Sequence, residues 1–230
     1  MVRVSVVFGF IFLMCVESVV AQIDEYDWGV WSSIDIEKKT NKRWGAAGGF
    51  EYRWKEGMAK TDQIRGSLGI EYNPKKIPFK FGVSYMLIAD KKQKKDIFLY
   101  RNRFTLFAMG SYKFNRFTAS WRPRLQATFY DPTERDAKEM DDYRWVVRNR
   151  FGLNYNIRKL PLKPYVQFEM FTRIFSDLKP VYNQNRFSAG LKIGMGKKHD
   201  LDIGYKQENE LSDYMKFRFN VCYVGYTFAF

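Results

Sequence analysis

Arginines recur at alternate positions in this chain, a spacing that suits the handling of anions. Arg101 and Arg103, Arg122 and Arg124, and Arg148 and Arg150 are each two residues apart. In an extended strand that spacing sets both guanidinium groups on one face. Arg53, Arg65, Arg173 and Arg186 fall on the same kind of polar register, joined by Arg144, Lys192 and Arg218. Few carboxylates oppose them, chiefly Glu51, Glu71, Glu169 and Asp202. Positive charge clustered against a low-dielectric wall focuses field and concentrates anions, so these residues are expected to line an anion path. The competing expectation is that they interlock with Glu, Asn and Gln and fill an interior too narrow to conduct.

Covalent and acid–base catalysis find little support. The sole histidine, His199, stands in a Lys-rich turn beside Asp200, and no G-x-S-x-G is present. A Ser-His-acid hydrolase needs its serine within hydrogen-bond reach of the imidazole, and Ser188 sits at the far end of its strand from His199. Glu51, Glu71 and Glu169 share a face with the arginines, which reads as an ion-paired stack. The acidic run at 131–142 matches no EF-hand spacing and reads as a solvated loop. Once an N-terminal signal is removed, Cys222 is the one remaining cysteine, so no internal disulfide or thiolate metal site is expected. These readings predict no enzyme, no catalytic residues, no cofactor and no metal.

The elements that position the arginines are long two-faced strands. From Phe117, the register Phe117, Ala119, Trp121, Pro123, Leu125, Ala127, Phe129 opposes Thr118, Ser120, Arg122, Arg124, Gln126, Thr128. Trp145 to Ile157, Trp44 to Trp54, Ile64 to Tyr72, Val166 to Ile174 and Phe187 to Ile193 repeat the rule, and a helical period fits none of these windows as well. The chain ends on Tyr226-Thr227-Phe228-Ala229-Phe230, an aromatic at every second position. Such an ending is unlike the polar, frayed terminus of a soluble chain, and Tyr226, Phe228 and Phe230 read as an assembly signal. Aromatics make up 18% of the chain, as interfacial girdles would require. The mean hydropathy of −0.44 is no obstacle, because a wall strand meets lipid with only every other residue.

Residues 1–21 read as a secretory signal peptide, with Arg3, an apolar stretch from Val4 to Val16 and a small-residue cleavage site before Gln22. The remainder, 22–230, reads as one barrel domain. Turns at 73–78, 114–116, 158–164 and 196–199 alternate with longer, more charged connections at 55–62, 89–96, 131–142, 176–184 and 208–213. The segments number eleven, the first at 27–38. Because bacterial single-chain barrels have even strand numbers, the wall is expected to hold ten or twelve. Phe217, Phe219 and Val221 share one register and Tyr226, Phe228 and Phe230 the other, which predicts a β-bulge near Cys222.

The runner-up architecture is a soluble sandwich. It would fill its polar face with Lys, Glu and Asp, whereas this polar face holds Arg, Asn, Gln, Ser, Thr and Gly. The expected fold is therefore all-β: a transmembrane antiparallel up-and-down β-barrel of 10–12 strands, with short periplasmic turns and longer extracellular loops. A formal net charge of +14 raises nucleic acid as a partner, but the signal peptide and strand pattern argue against it. Outer-membrane lipid and lipopolysaccharide are the expected anionic surroundings, the latter near the basic loop of Lys91, Lys92, Lys94 and Lys95. The barrel assembly machinery is the expected partner during biogenesis.

One resemblance fits this reading. Asp27-Trp28-Gly29-Val30-Trp31-Ser32-Ser33, Ile36-Glu37-Lys38-Lys39, Phe50-Glu51-Tyr52-Arg53, the Arg-Asn-Arg-Phe at 101–104 and at 148–151, and Tyr165-Val166-Gln167-Phe168-Glu169 resemble the outer-membrane proteins grouped as domain of unknown function 2490. The resemblance covers nearly all of 22–230. It implies a barrel in a Gram-negative outer membrane, with no assigned activity. A small passive pore favouring anions and a filled structural barrel are the two functions it leaves open, with an outer-membrane enzyme or a surface receptor as alternatives.

Overall fold

The computed structural model describes residues 25–41, 43–93, 95–130, 143–174, 181–211 and 216–230. The expected signal peptide at 1–21, the acidic connection 131–142 and parts of the connections at 176–184 and 208–213 lie outside the described residues.

Period-two alternation produces eleven strands: β1 (Glu25–Lys39), β2 (Trp44–Lys55), β3 (Lys60–Tyr72), β4 (Phe79–Lys92), β5 (Ile97–Phe114), β6 (Phe117–Tyr130), β7 (Tyr143–Tyr155), β8 (Leu162–Ile174), β9 (Val181–Gly194), β10 (His199–Leu211) and β11 (Lys216–Ala229). Each pairs with its sequence neighbours, and β1 pairs with β11 to close the barrel. The expected even count does not hold. Segment 27–38 is a full wall strand, and the described residues form a closed ring of eleven. With an odd number of alternating strands, the first and last run in the same direction, so the closing pair is parallel, from Glu25↔Phe217 to Glu37↔Ala229. All other pairs are antiparallel, as hairpin connections require.

Strands run further than the sequence pattern suggests. The connections after β2 and β4 shrink to residues 56–59 and 93–96, and each is spanned by an ion pair, Lys60 with Glu56 at 2.6 Å and Lys91 with Asp96 at 2.5 Å. The exposed Asp96 carboxyl is thereby held below its ordinary range, first by that hydrogen bond and then by the Lys91 charge.

The predicted bulge near Cys222 is absent: β11 pairs without a register shift against both β10 and β1. The shifts lie elsewhere, at Arg53/Trp54 and at Phe171/Thr172. The two apolar runs of β11 instead face opposite ways. Val221 and Tyr223 are buried inside with Trp31 and Tyr165, with Phe219 packed against them. Val224 and Phe230 are exposed on the outer register. An aromatic ring can fill a lumen as well as meet lipid, so alternation need not keep one sense along a whole strand. The same parity turns Arg218 outward, correcting its assignment to the interior; its Nε donates to Asn209 Oδ1 at 3.0 Å, and Asn209 donates to Asn185 at 2.8 Å.

Elsewhere the outer surface is apolar. Leu68 is 68% exposed and Leu106 57%, while the inward Arg53, Gln126, Glu169 and Ser188 are buried. This is the inverse of a water-soluble domain, and such a continuous apolar belt suits hydrocarbon. Paired aromatics ring both rims: Trp44–Tyr72, Phe114–Phe117 and Phe117–Tyr155 near the short turns, and Tyr52–Trp54 and Phe104–Phe129 toward the other end. One ladder is interrupted. Pairing of β5 with β6 skips from Phe107↔Arg124 to Gly110↔Trp121, where Pro123 has no N–H to donate.

The two faces predict unequal tolerance. Leu125→Arg on the outer belt should cost about 2–4 kcal/mol in urea unfolding from detergent or lipid. Lys80→Arg on the inner face, where Lys80 pairs with Glu71 at 3.3 Å, should stay within about 0.5 kcal/mol. Equal losses would show the faces to be misassigned.

Candidate functional site

The inner face carries several ion-paired clusters. Glu169 on β8 is the centre of one. It accepts from Arg148 on β7 and from Arg186 on β9 at 3.1 Å, and stands 3.6 Å from Arg150. Arg186 reaches on to Glu208 of β10. Across the lumen, Glu51 of β2 pairs with Arg53 at 2.6 Å and with Arg65 of β3 at 3.4 Å. Nearer the loop rim, Arg101 of β5 pairs with Asp90 of β4.

The remaining predicted arginines have thinner company. Arg103 donates through Nε to the Thr128 hydroxyl at 2.9 Å. Arg122 lies over the Phe107 ring at 4.3 Å. Arg122 opposes Arg150, and Arg124 opposes Arg148, directly across the β6–β7 ladder. Like charges facing each other there are destabilising unless something neutralises them. Arg173 shares the inner register of β8 with Glu169 and Phe171. Arg144 and Lys192 are inward too, 5.7 Å from the Tyr130 ring and 5.9 Å from the Tyr165 ring.

Trp31 of β1 organises the middle of the lumen. It is 2% exposed, with Arg53 stacked 3.3 Å from its ring and Arg186 and Lys206 at 5.4 and 5.1 Å. On one side the interior continues as a cavity of about 490 Å³ toward the loop rim. On the other is a second cavity of about 220 Å³ at mid-height. Trp31, Arg53, Arg65, Arg148 and Arg186 line both, so they form the neck between them. Beyond the neck, Tyr165 and Tyr223 both donate to Asp202 Oδ1, at 2.8 and 3.0 Å. Glycines make room for these rings. A Cβ at Gly190 would lie 2.8 Å from the Tyr165 hydroxyl, and one at Gly204 the same distance from the Tyr223 ring.

His199 sits on the outer rim, its Nδ1 2.6 Å from the Tyr226 hydroxyl and its ring 5.1 Å from Phe228. Ser188 is buried on the inner register, so the two do not meet. Among the described residues no group of three or more His, Cys, Asp or Glu side chains is placed to hold a metal ion. Tyr226, Phe228 and Phe230 share the outer register of β11. Phe228 and Phe230 stack at 5.7 Å, and Lys38 lies 5.1 Å from the Phe230 ring.

Trp31, Asp35, Asp90, Lys206 and Glu208 are interior residues that the reading of motifs missed. Alternation alone could have found Lys206 and Glu208, since Asp202, Lys206 and Glu208 oppose Leu201, Ile203 and Tyr205 along β10. Trp31 gives no such signal, because tryptophan on a wall strand reads first as lipid-facing.

A protein-family model described as "Protein of unknown function (DUF2490)" matches residues 28–213. No curated protein matches the sequence. Among solved structures, the β domain of the Bordetella autotransporter BrkA aligns at 14% identity with a TM-score of 0.41, covering 76% of this chain and 79% of that one. An anion-selective porin from Comamonas acidovorans aligns at 12% identity with a TM-score of 0.38; 80% of this chain is covered, and about half (52%) of the porin.

Proposed function

This chain belongs to the DUF2490 family, and we propose that it is an integral outer-membrane β-barrel that acts as a narrow passive pore favouring small anions. The observation that supports this reading is the charge of the lumen: arginines from six strands line the two cavities and the neck between them, and carboxylates answer only part of them. Such a lumen attracts anions and repels cations. The neck limits what passes to small solutes, in keeping with a wall of eleven strands, well short of the sixteen to eighteen that leave a wide aqueous channel.

In planar bilayers under a salt gradient, the folded protein should carry small currents whose reversal potential reports anion selectivity. Arg124→Glu combined with Arg150→Glu should move that potential toward cations. A silent bilayer with correctly folded protein would overturn the pore. The second reading, a filled structural barrel, is favoured by one observation, the Trp31 neck itself.

The outer-membrane location belongs to the same proposal. Its support is the apolar belt between two aromatic rims, and the mature chain should fractionate with outer membranes and migrate faster on gels before heating than after. We assign Tyr226, Phe228 and Phe230 to recognition by the barrel assembly machinery. Lys91 and Lys95 at the loop rim would face lipopolysaccharide phosphates. Removing Phe230 should reduce the folded yield in cells, and unchanged assembly would reject that role.

A further inference from the structure

We propose that the mid-height cavity is a binding site for a tetrahedral oxyanion of charge near −2, of the phosphate, sulfate or phosphomonoester class. The proposal rests on the reading of the lumen as anion-attracting, but not on conduction.

Six cationic side chains line this cavity: Arg53, Arg65, Arg124, Arg148, Arg186 and Lys206. Four carboxylates accompany them. Asp35 and Glu51 face the cavity, while Glu169 and Glu208 reach Arg148 and Arg186 from its edge. Even without Arg150, which shares Glu169, two positive charges are left over. Arg124 and Lys206 have no carboxylate partner within ion-pairing distance among the described residues, and the Asp35 carboxylate is engaged by Ser33 Oγ at 3.2 Å. Uncompensated charge away from water is costly, and a bound counter-anion removes the cost.

The second observation concerns hydrogen bonds. Trp31 Nε1, Arg124 Nε, Arg148 Nε and Arg186 Nε are all buried without an acceptor among the described residues, and all four residues line this cavity. Buried donors are normally satisfied. Water would serve the donors but leave the charge, whereas an oxyanion answers both through charge-assisted hydrogen bonds. The donors come from β1, β6, β7 and β9, with the Lys206 ammonium on β10. Groups arriving from around the lumen suit a tetrahedral acceptor better than a planar carboxylate with two oxygens. At about 220 Å³ the cavity far exceeds what a single water needs.

The test uses the folded mature chain in detergent. The midpoint of its heat-induced gel-mobility shift is titrated with inorganic phosphate, sulfate, glycerol 3-phosphate and chloride at matched ionic strength. Phosphate and sulfate should raise the midpoint saturably and chloride should not. Arg124→Gln and Lys206→Met should each weaken the apparent phosphate affinity about tenfold, whereas Lys80→Gln, whose partner Glu71 lies outside the cavity lining, should leave it unchanged. A response to phosphate alone assigns the free anion, and a stronger response to glycerol 3-phosphate assigns the phosphomonoester. A phosphate effect no greater than that of chloride, or one unaltered in Arg124→Gln and Lys206→Met, overturns the site. Saturable phosphate binding with silent bilayers would retain the site and reject the pore; currents without an oxyanion effect would do the reverse.

Discussion

Replacing Glu169 by Gln should lower the free energy of unfolding by about 3–5 kcal/mol, the range seen when one partner of a buried charge pair is removed. Glu169 is 3% exposed and faces three guanidinium groups, those of Arg148, Arg150 and Arg186. Glutamine keeps the shape and one acceptor but removes the negative charge that pairs with all three; among the described residues only Glu208, on Arg186, remains. Equilibrium unfolding in urea from lipid vesicles would measure the loss. A second substitution, Arg150→Gln, should restore part of it by lowering the uncompensated charge, and a double-mutant cycle would give the coupling. A loss below about 1 kcal/mol would show that the arginines are neutralised by something other than Glu169.

Trp31→Ala should lower stability by a similar amount and raise conductance. Trp31 is the largest side chain in the neck, and Arg53, Arg186 and Lys206 all rest against its ring. Truncating a buried tryptophan costs about 3–5 kcal/mol through lost contacts and the void left behind. Here the void joins the cavities of about 490 and 220 Å³ into one. Single-channel conductance in planar bilayers should therefore rise well above that of the parent protein. Selectivity should remain anionic, because the arginines stay in place. Unchanged conductance at normal folded yield would mean that the neck is not what limits flow.

Much of the wall was legible in the chain. A β-strand assigns each residue a side by counting in twos, so the outward positions of Leu68, Leu106 and Phe151 and the shared inner register of Arg53, Arg124, Arg148 and Arg186 follow without knowledge of any neighbouring strand. Counting fails when both registers carry apolar groups. In β11, Phe217, Phe219 and Val221 set against Tyr226, Phe228 and Phe230 suggest a bulge, and the polarity of Arg218 suggests the lumen, yet neither holds. Polarity reports the face only where the two faces differ, and the upper half of β11 is apolar inside and hydrogen-bonded outside.

The strand pattern determines the fold class, the two faces and the positive charge of the interior, because these depend on period and composition. Tertiary structure alone decides how the barrel closes and what the interior becomes. The parallel joining of β1 to β11 follows from an odd strand count, which is a property of the whole ring. The meeting of Glu169 with Arg148 and Arg186, and of Trp31 with Arg53 and Lys206, brings together residues from β1, β2, β7, β8, β9 and β10. Closure sets those distances across the lumen. Local periodicity says which way a side chain points, while the curvature and register of all eleven strands determine what it reaches.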